Sequence, residues 1–210
     1  MRIALIHGLR HSPPPIEAAF ARLWPEAALM NLLDDSLSAD RARDGALTPA
    51  MTERFLTLAR YAASTGADGI LFTCSAFGPC IEACARALAP MPVLKPNEAM
   101  IDEAVAIGGR IGLLTTFGPS AESLPPEFPP GVTVVSKLAE GALAALDRGD
   151  TTTHDRLAAE AAQSLSDCDA IALGQFSLAR AAPMVAAAIG KPVLTTPDSA
   201  VRALRRRLGA

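Results

Sequence analysis

The chain has 210 residues, half of them hydrophobic, enough to bury the core of one large domain or two small ones. A net charge of −3 gives nucleic acid or an acidic membrane surface no electrostatic reason to bind. No apolar run reaches the roughly 18 residues of a membrane span, and "MRIALIHGL" is too short an apolar stretch for an export signal, so the expectation is a cytoplasmic protein with reduced thiols.

In chain order, "RIALIHG" (2–8) predicts a buried strand that ends at His7. The loop "RHSPPP" (10–15) follows, and its His11 and Ser12 are placed to cover what lies beyond that strand end. Thr48 and Pro49 read as the N-cap and first position of a helix running to residue 65. "ADGILFTCSAF" (67–77) predicts a second buried strand with Cys74 just past its end. Gly78 and Pro79 then break the chain before an Ala-rich helix, on which Cys80 and Cys84 share a face as small buried hydrophobes. A short Pro-Val-Leu strand (92–94) closes this half.

The second half begins again with "RIGLLTT" (110–116). The proline-rich stretch 123–132 reads as a loop or a stiff connection, and a helix over 151–166 is capped by threonines, with His154 in its first turn at the surface. "CDAIALGQFSL" (168–178), with Cys168 as another buried hydrophobe, leads to a second Pro-Val-Leu strand (192–194). The basic run "RALRRRLG" (202–209) suits the C-terminal end of a last helix, where cations complement the dipole.

The two halves repeat. Aligning Asp68 with Asp169 sets Cys74 opposite Gln175 at an offset of 101 residues, and "PVLKPNEAMIDEA" (92–104) matches "PVLTTPDSAVRAL" (192–204) at an offset of 100. Strands alternating with helices imply an α/β fold with parallel sheets, here as two lobes: residues 1–95 with 197–210, and residues 96–196. Ligands of such sheets sit beyond the C-terminal strand ends. Those ends are His7, Thr73-Cys74-Ser75, Thr115-Thr116 and Gly174-Gln175-Phe176, and a cleft between facing lobes puts Cys74 and Gln175 on opposite sides of it.

Each of these residues has two readings. Cys74 is core filler, or a thiol whose pKa is lowered by the N-terminus of the following helix. Ser75, Thr115, Thr116 and Ser120 are turn and capping residues, or a cradle of donors for a carboxylate and for the charge of an enediolate. His7 is a base or a hydrogen-bonding strand end, and no Asn or Asp is evidently placed to orient it. Phe77, Phe117 and Phe176 lie where they would line an apolar pocket. The Cys and His spacings match no metal pattern, and "GGRIGLLTTFG" (108–118) matches no nucleotide-binding fingerprint.

"FTCSAFG" (72–78), "IGLLTTFGPS" (111–120) and "DAIALGQFSLARA" (169–181) together resemble the aspartate/glutamate/hydantoin racemase superfamily, which also holds arylmalonate decarboxylase and maleate isomerase. The resemblance implies two pseudo-symmetric flavodoxin-like or Rossmann-like lobes with the site between them, a small carboxylic acid as substrate, and no cofactor. Racemases of the group use two cysteines on opposite faces of the substrate. The first maps onto Cys74, as the catalytic proton-transfer residue; the second falls on Gln175, which is no acid or base in the useful range. By the same resemblance Thr116 and Ser120 belong to a carboxylate-binding loop, and the substrate-binding set is His7, Ser75, Thr115, Thr116, Ser120, Gln175 and Phe176. The expected activity is that of a racemase or isomerase acting at the carbon next to a carboxylate. A single thiol also suits a decarboxylase-like lyase, and the glutamine suits a carboxylate-binding protein without catalysis. Neither metal, nucleic acid nor membrane is expected as a partner, and a homo-oligomer is left open.

Overall fold

The computed structural model describes all residues, 1–210. The first half runs β1 (Arg2–His7), α1 (Pro13–Leu23), β2 (Ala28–Leu33), α2 (Ser36–Asp44), α3 (Pro49–Ser64), β3 (Gly69–Phe72), α4 (Gly78–Leu88) and β4 (Val93–Leu94). After α5 (Glu98–Ile107), the second half runs β5 (Arg110–Thr115), α6 (Gly118–Ser123), β6 (Thr133–Leu138), α7 (Ala142–Asp147), α8 (Thr151–Ala162), β7 (Ala170–Leu173), α9 (Ala182–Ile189), β8 (Val193–Thr195) and α10 (Thr196–Arg207). The strands form two four-stranded sheets of orders β2-β1-β3-β4 and β6-β5-β7-β8, with every pairing parallel. No helix is long and apolar enough to cross a membrane.

The aspartates that align the repeat do the same work in each sheet. The Arg2 N–H donates to the Asp68 carboxylate at 2.7 Å, and the Arg110 N–H donates to the Asp169 carboxylate at 2.7 Å. Each aspartate's own N–H returns a bond to the arginine carbonyl. This exchange pins the start of the two central strands and so sets their register.

Three strands per half are predicted and four are present. The central β3 and β7 are buried at every position and read as apolar runs. The edge strands β2 and β6 are only half-buried, so "ALMNLL" and "TVVSKL" offer neither an unbroken run nor a strict alternation.

In the first lobe, α3 and α4 cover one face of the sheet, where Phe55 stacks on Phe72 at 5.3 Å and meets Phe77 at 4.9 Å. The other face buries Phe20 and Trp24 of α1 with Val201 and Leu204 of α10, so the C-terminal helix returns to the lobe where the chain began. Its basic end pairs with α5: Arg202 reaches Glu103 at 3.1 Å. Two local expectations change. His154 is in the first turn of α8 but fully buried, its Nδ1 2.7 Å from Asp155, and that helix is capped by Asp150 rather than by a threonine. Within the proline-rich connection, Pro125–Glu127 forms a 3-10 turn.

Candidate active site

Gly8 ends β1's reach, Thr73 to Phe77 follow β3, Phe117 and Ser120 follow β5, and Gln175 to Ser177 follow β7; these strand ends converge on one cavity. Cys74 and Gln175 both line it, one from each lobe, with Leu9, Ser12 and Ser38 closing it over. The Ser75 and Ser120 hydroxyls bond across the lobes at 2.7 Å. The free space is about 10 Å³, room for a single water.

Cys74 is 6% exposed, and its thiol donates a weak bond to the Ile6 carbonyl at 3.8 Å. Burial pushes the thiol up to about 12, and the opposing hydrogen bonds from the Gly8 and Thr73 backbone only moderate that. The expectation of a lowered pKa is therefore wrong. The reason is burial: the closed cavity desolvates the sulfur, which lies four residues ahead of the start of α4 at Gly78. At neutral pH the group is a thiol and has a proton to give.

Gln175 is 3% exposed. Its Oε1 accepts from the Thr116 backbone N–H at 2.5 Å and from the Thr116 hydroxyl at 3.1 Å. That fixes the amide orientation and leaves the Nε2 donor buried with no partner. A buried N–H₂ without an acceptor is costly, and the cavity it lines is where an acceptor would repay that cost. Ser177 adds a second buried, unpartnered group, its hydroxyl, at the same cavity.

Of the predicted residues, Cys74, Ser75, Ser120, Gln175 and Phe176 line the cavity, as do Phe77 and Phe117. Thr116 stands behind Gln175 and orients it. Thr115 and His7 are fully buried and do not line it. His7 lies inside a chain of hydrogen bonds. Asn31 donates to Glu17 at 2.7 Å; the Asn31 carbonyl must accept from His7 Nε2 at 2.8 Å; His7 Nδ1 then accepts from the Thr73 hydroxyl at 2.8 Å. Burial lowers the His7 pKa, consistent with a neutral ring. An Asn does orient His7, from the edge strand the sequence reading missed, but the ring faces Thr73 and not the thiol. His7 thus braces the β3 end from which Cys74 projects.

Sequence reasoning missed Ser38 and Ser177. Ser38 sits on α2, 36 residues before Cys74 in the chain, and reaches the site by donating to the Gly8 carbonyl at 2.7 Å. Ser177 had a signal, since it lies two residues past Gln175 in a stretch already marked as a strand end. No group of three or more His, Cys, Asp or Glu is gathered where a metal ion would bind.

No curated protein matches the chain in sequence. Solved structures match its fold at full length. Glutamate racemase from Thermus thermophilus, in complex with β-chloro-D-alanine, superposes with a TM-score of 0.77 at 19% identity, over 99% of this chain and 80% of that one. Allantoin racemase from Klebsiella pneumoniae gives 0.75 at 19% identity, over 100% and 88%. A liganded variant of arylmalonate decarboxylase, with one glycine changed to cysteine and one cysteine to serine, gives 0.68 at 23%, over 100% and 93%. The model of the Asp/Glu/Hydantoin racemase family matches residues 14–204, and by that match the chain belongs to this family.

Proposed function

We propose that the protein is a cofactor-independent enzyme that transfers a proton at the carbon α to a carboxylate of a small organic acid. Cys74 gives the proton from one face, and Gln175 holds a carboxylate from the other. The observation that carries this reading is the opposition of a protonated thiol and an unpartnered amide donor across one cavity. Membership of a racemase family supports enzyme chemistry of this kind.

A thiol held near 12 is suited to protonating a carbanion and poorly suited to removing a proton at neutral pH. That favours one-sided chemistry over two-base racemisation. In the one-sided form the C–C bond to a second carboxylate breaks and carbon dioxide leaves. Its electron pair becomes an enediolate whose oxygens face Gln175 Nε2 and the Ser75 and Ser120 hydroxyls. The Cys74 S–H then donates to carbon, and solvent reprotonates the thiolate. The test is turnover of 2-substituted malonates in deuterated water: a single deuterated enantiomer is expected, and a racemic product contradicts one-sided delivery.

A further inference from the structure

The catalytic cavity shares a wall with a second, far larger space. A cleft of about 690 Å³ opens between α1, α9 and the start of α10, within the size range of small-molecule sites. The loop after β1 divides the two: Gly8, Leu9 and Ser12 face the cavity, while Arg10 and His11 face the cleft. Ser177 lines both, its hydroxyl buried and unpartnered. The loop is clasped to the opposite lobe by Asp147, whose carbonyl accepts from Arg10 at 3.0 Å and whose carboxylate lies 2.8 Å from His11 Nε2.

The lining of the cleft indicates what it accepts. Pro14, Pro15, Ala18, Ala182, Pro183 and Pro197 give rigid, apolar walls. The three guanidinium groups at its edge already face carboxylates: Arg10 with Asp147 at 3.5 Å, Arg22 with Asp198 at 2.6 Å, Arg180 with Asp155 at 2.9 Å. Their charge is matched, so the cleft has no net demand for an anion. The cavity, at about 10 Å³, has no room for a substituent on the reacting carbon.

We infer that the cleft receives the α-substituent of the substrate, that this substituent is an extended, uncharged apolar tail, and that the Leu9–Ser12 loop is the partition moved aside to admit it. The inference rests on the reading of Cys74 and Gln175 as a carboxylate-handling site. The carboxylate end lies beside Gln175, Ser177 stands at the threshold, and the tail lies along the proline and alanine walls.

The test is calorimetric titration with acetate, hexanoate and hexanamide, none of which reacts. Hexanoate binds the native protein about tenfold or more tighter than acetate, because its tail leaves water. Ala18→Trp and Ala182→Trp, one on each wall, each lower the hexanoate-to-acetate preference by about tenfold. Ala18 is exposed and Ala182 half-buried, so neither change loads the core. No preference for the longer acid, or a preference untouched by both variants, overturns the tail site. Hexanamide separates the two readings. If it binds as tightly as hexanoate, and both variants weaken it, the carboxylate role of Gln175 fails and the tail site stands. If the acid is preferred but chain length has no effect, the tail site fails and the carboxylate role stands.

Discussion

A β-carbon built on Gly8 would stand 2.7 Å from the Cys74 sulfur and 3.4 Å from the Ser38 hydroxyl oxygen. Only a residue without a side chain lets β1 end this close to the thiol. Gly8→Ala therefore has to displace Cys74 or the backbone carrying it. Overpacking of this kind costs about 1–3 kcal/mol, and it also moves the proton donor. Gly118→Ala, where nothing lies within 4 Å of the added carbon, is the comparison and stays within about 0.5 kcal/mol. Denaturant melts of the two variants give the difference, and equal stabilities would show that the thiol has slack.

Gln175 decides whether chemistry is one-sided. Gln175→Cys places a second thiol opposite Cys74 and removes the amide donor. Product formed in deuterated water should then change from one enantiomer toward both, with a lower rate because the carboxylate loses its partner. Retention of a single enantiomer would mean that position 175 does not reach the reacting carbon.

Asp147 holds the loop that seals Cys74 from solvent. Asp147→Ala frees His11 and removes the 3.5 Å carboxylate contact of Arg10, which keeps only its bond to the residue 147 carbonyl. The expected outcome is a severalfold faster reaction of Cys74 with iodoacetamide, located by peptide mass mapping. Labelling at the native rate would mean that the loop is held by its other contacts, the cavity-facing Leu9 and Ser12 among them.

Two buried histidines are expected to weaken the fold as pH falls. Burial lowers both His7 and His154 below the ordinary imidazole value of about 6.5, against the raising influence of Asn31 on the first and Asp155 on the second. The unfolded chain then binds more protons than the folded one below that value. Their stabilisation is complete above 6.5 and is lost as pH falls through 6.5 toward the lower folded values. Asp34, Asp150 and Asp155, also lowered, lose theirs only below the ordinary carboxylate range, about 3.9. Glu127 is raised by burial and acts in the opposite sense, so the informative quantity is a difference between proteins. Between about pH 7.5 and 5.5 the urea midpoint of the native protein should fall more than that of a His7→Gln, His154→Gln double variant. Equal falls would assign the acid limb to other groups.

The sequence makes the fold legible where burial is complete and chemistry local. Asp68 and Asp169 mark the repeat because each closes the same backbone exchange at a strand start, and a repeat in contacts leaves a repeat in residues. Strand-end position brings Cys74 and Gln175 to one cavity by the rule for parallel sheets, without knowledge of side-chain direction. What the sequence hides depends on long-range placement. β2 and β6 are edge strands with half-wet side chains, so Asn31 cannot be seen to stand beside His7. Ser38 comes to the site only because α2 folds back over Gly8. The pKa of Cys74 is illegible for a related reason: its burial is set by residues distant in the chain, such as Gly8, Ser12 and Ser38, that close the cavity over it.

Proton delivery by the Cys74 thiol is what the chemistry depends on. Once a 2-substituted malonate or related acid that turns over is found, native protein and Cys74→Ser are compared in deuterated water by rate and product configuration. The native enzyme should give one deuterated enantiomer, and the serine variant should lose about 10²–10⁴-fold in rate, because a hydroxyl is a far weaker acid at this carbon. Near-native turnover by Cys74→Ser, with the same product configuration, would contradict the assignment of the proton to Cys74.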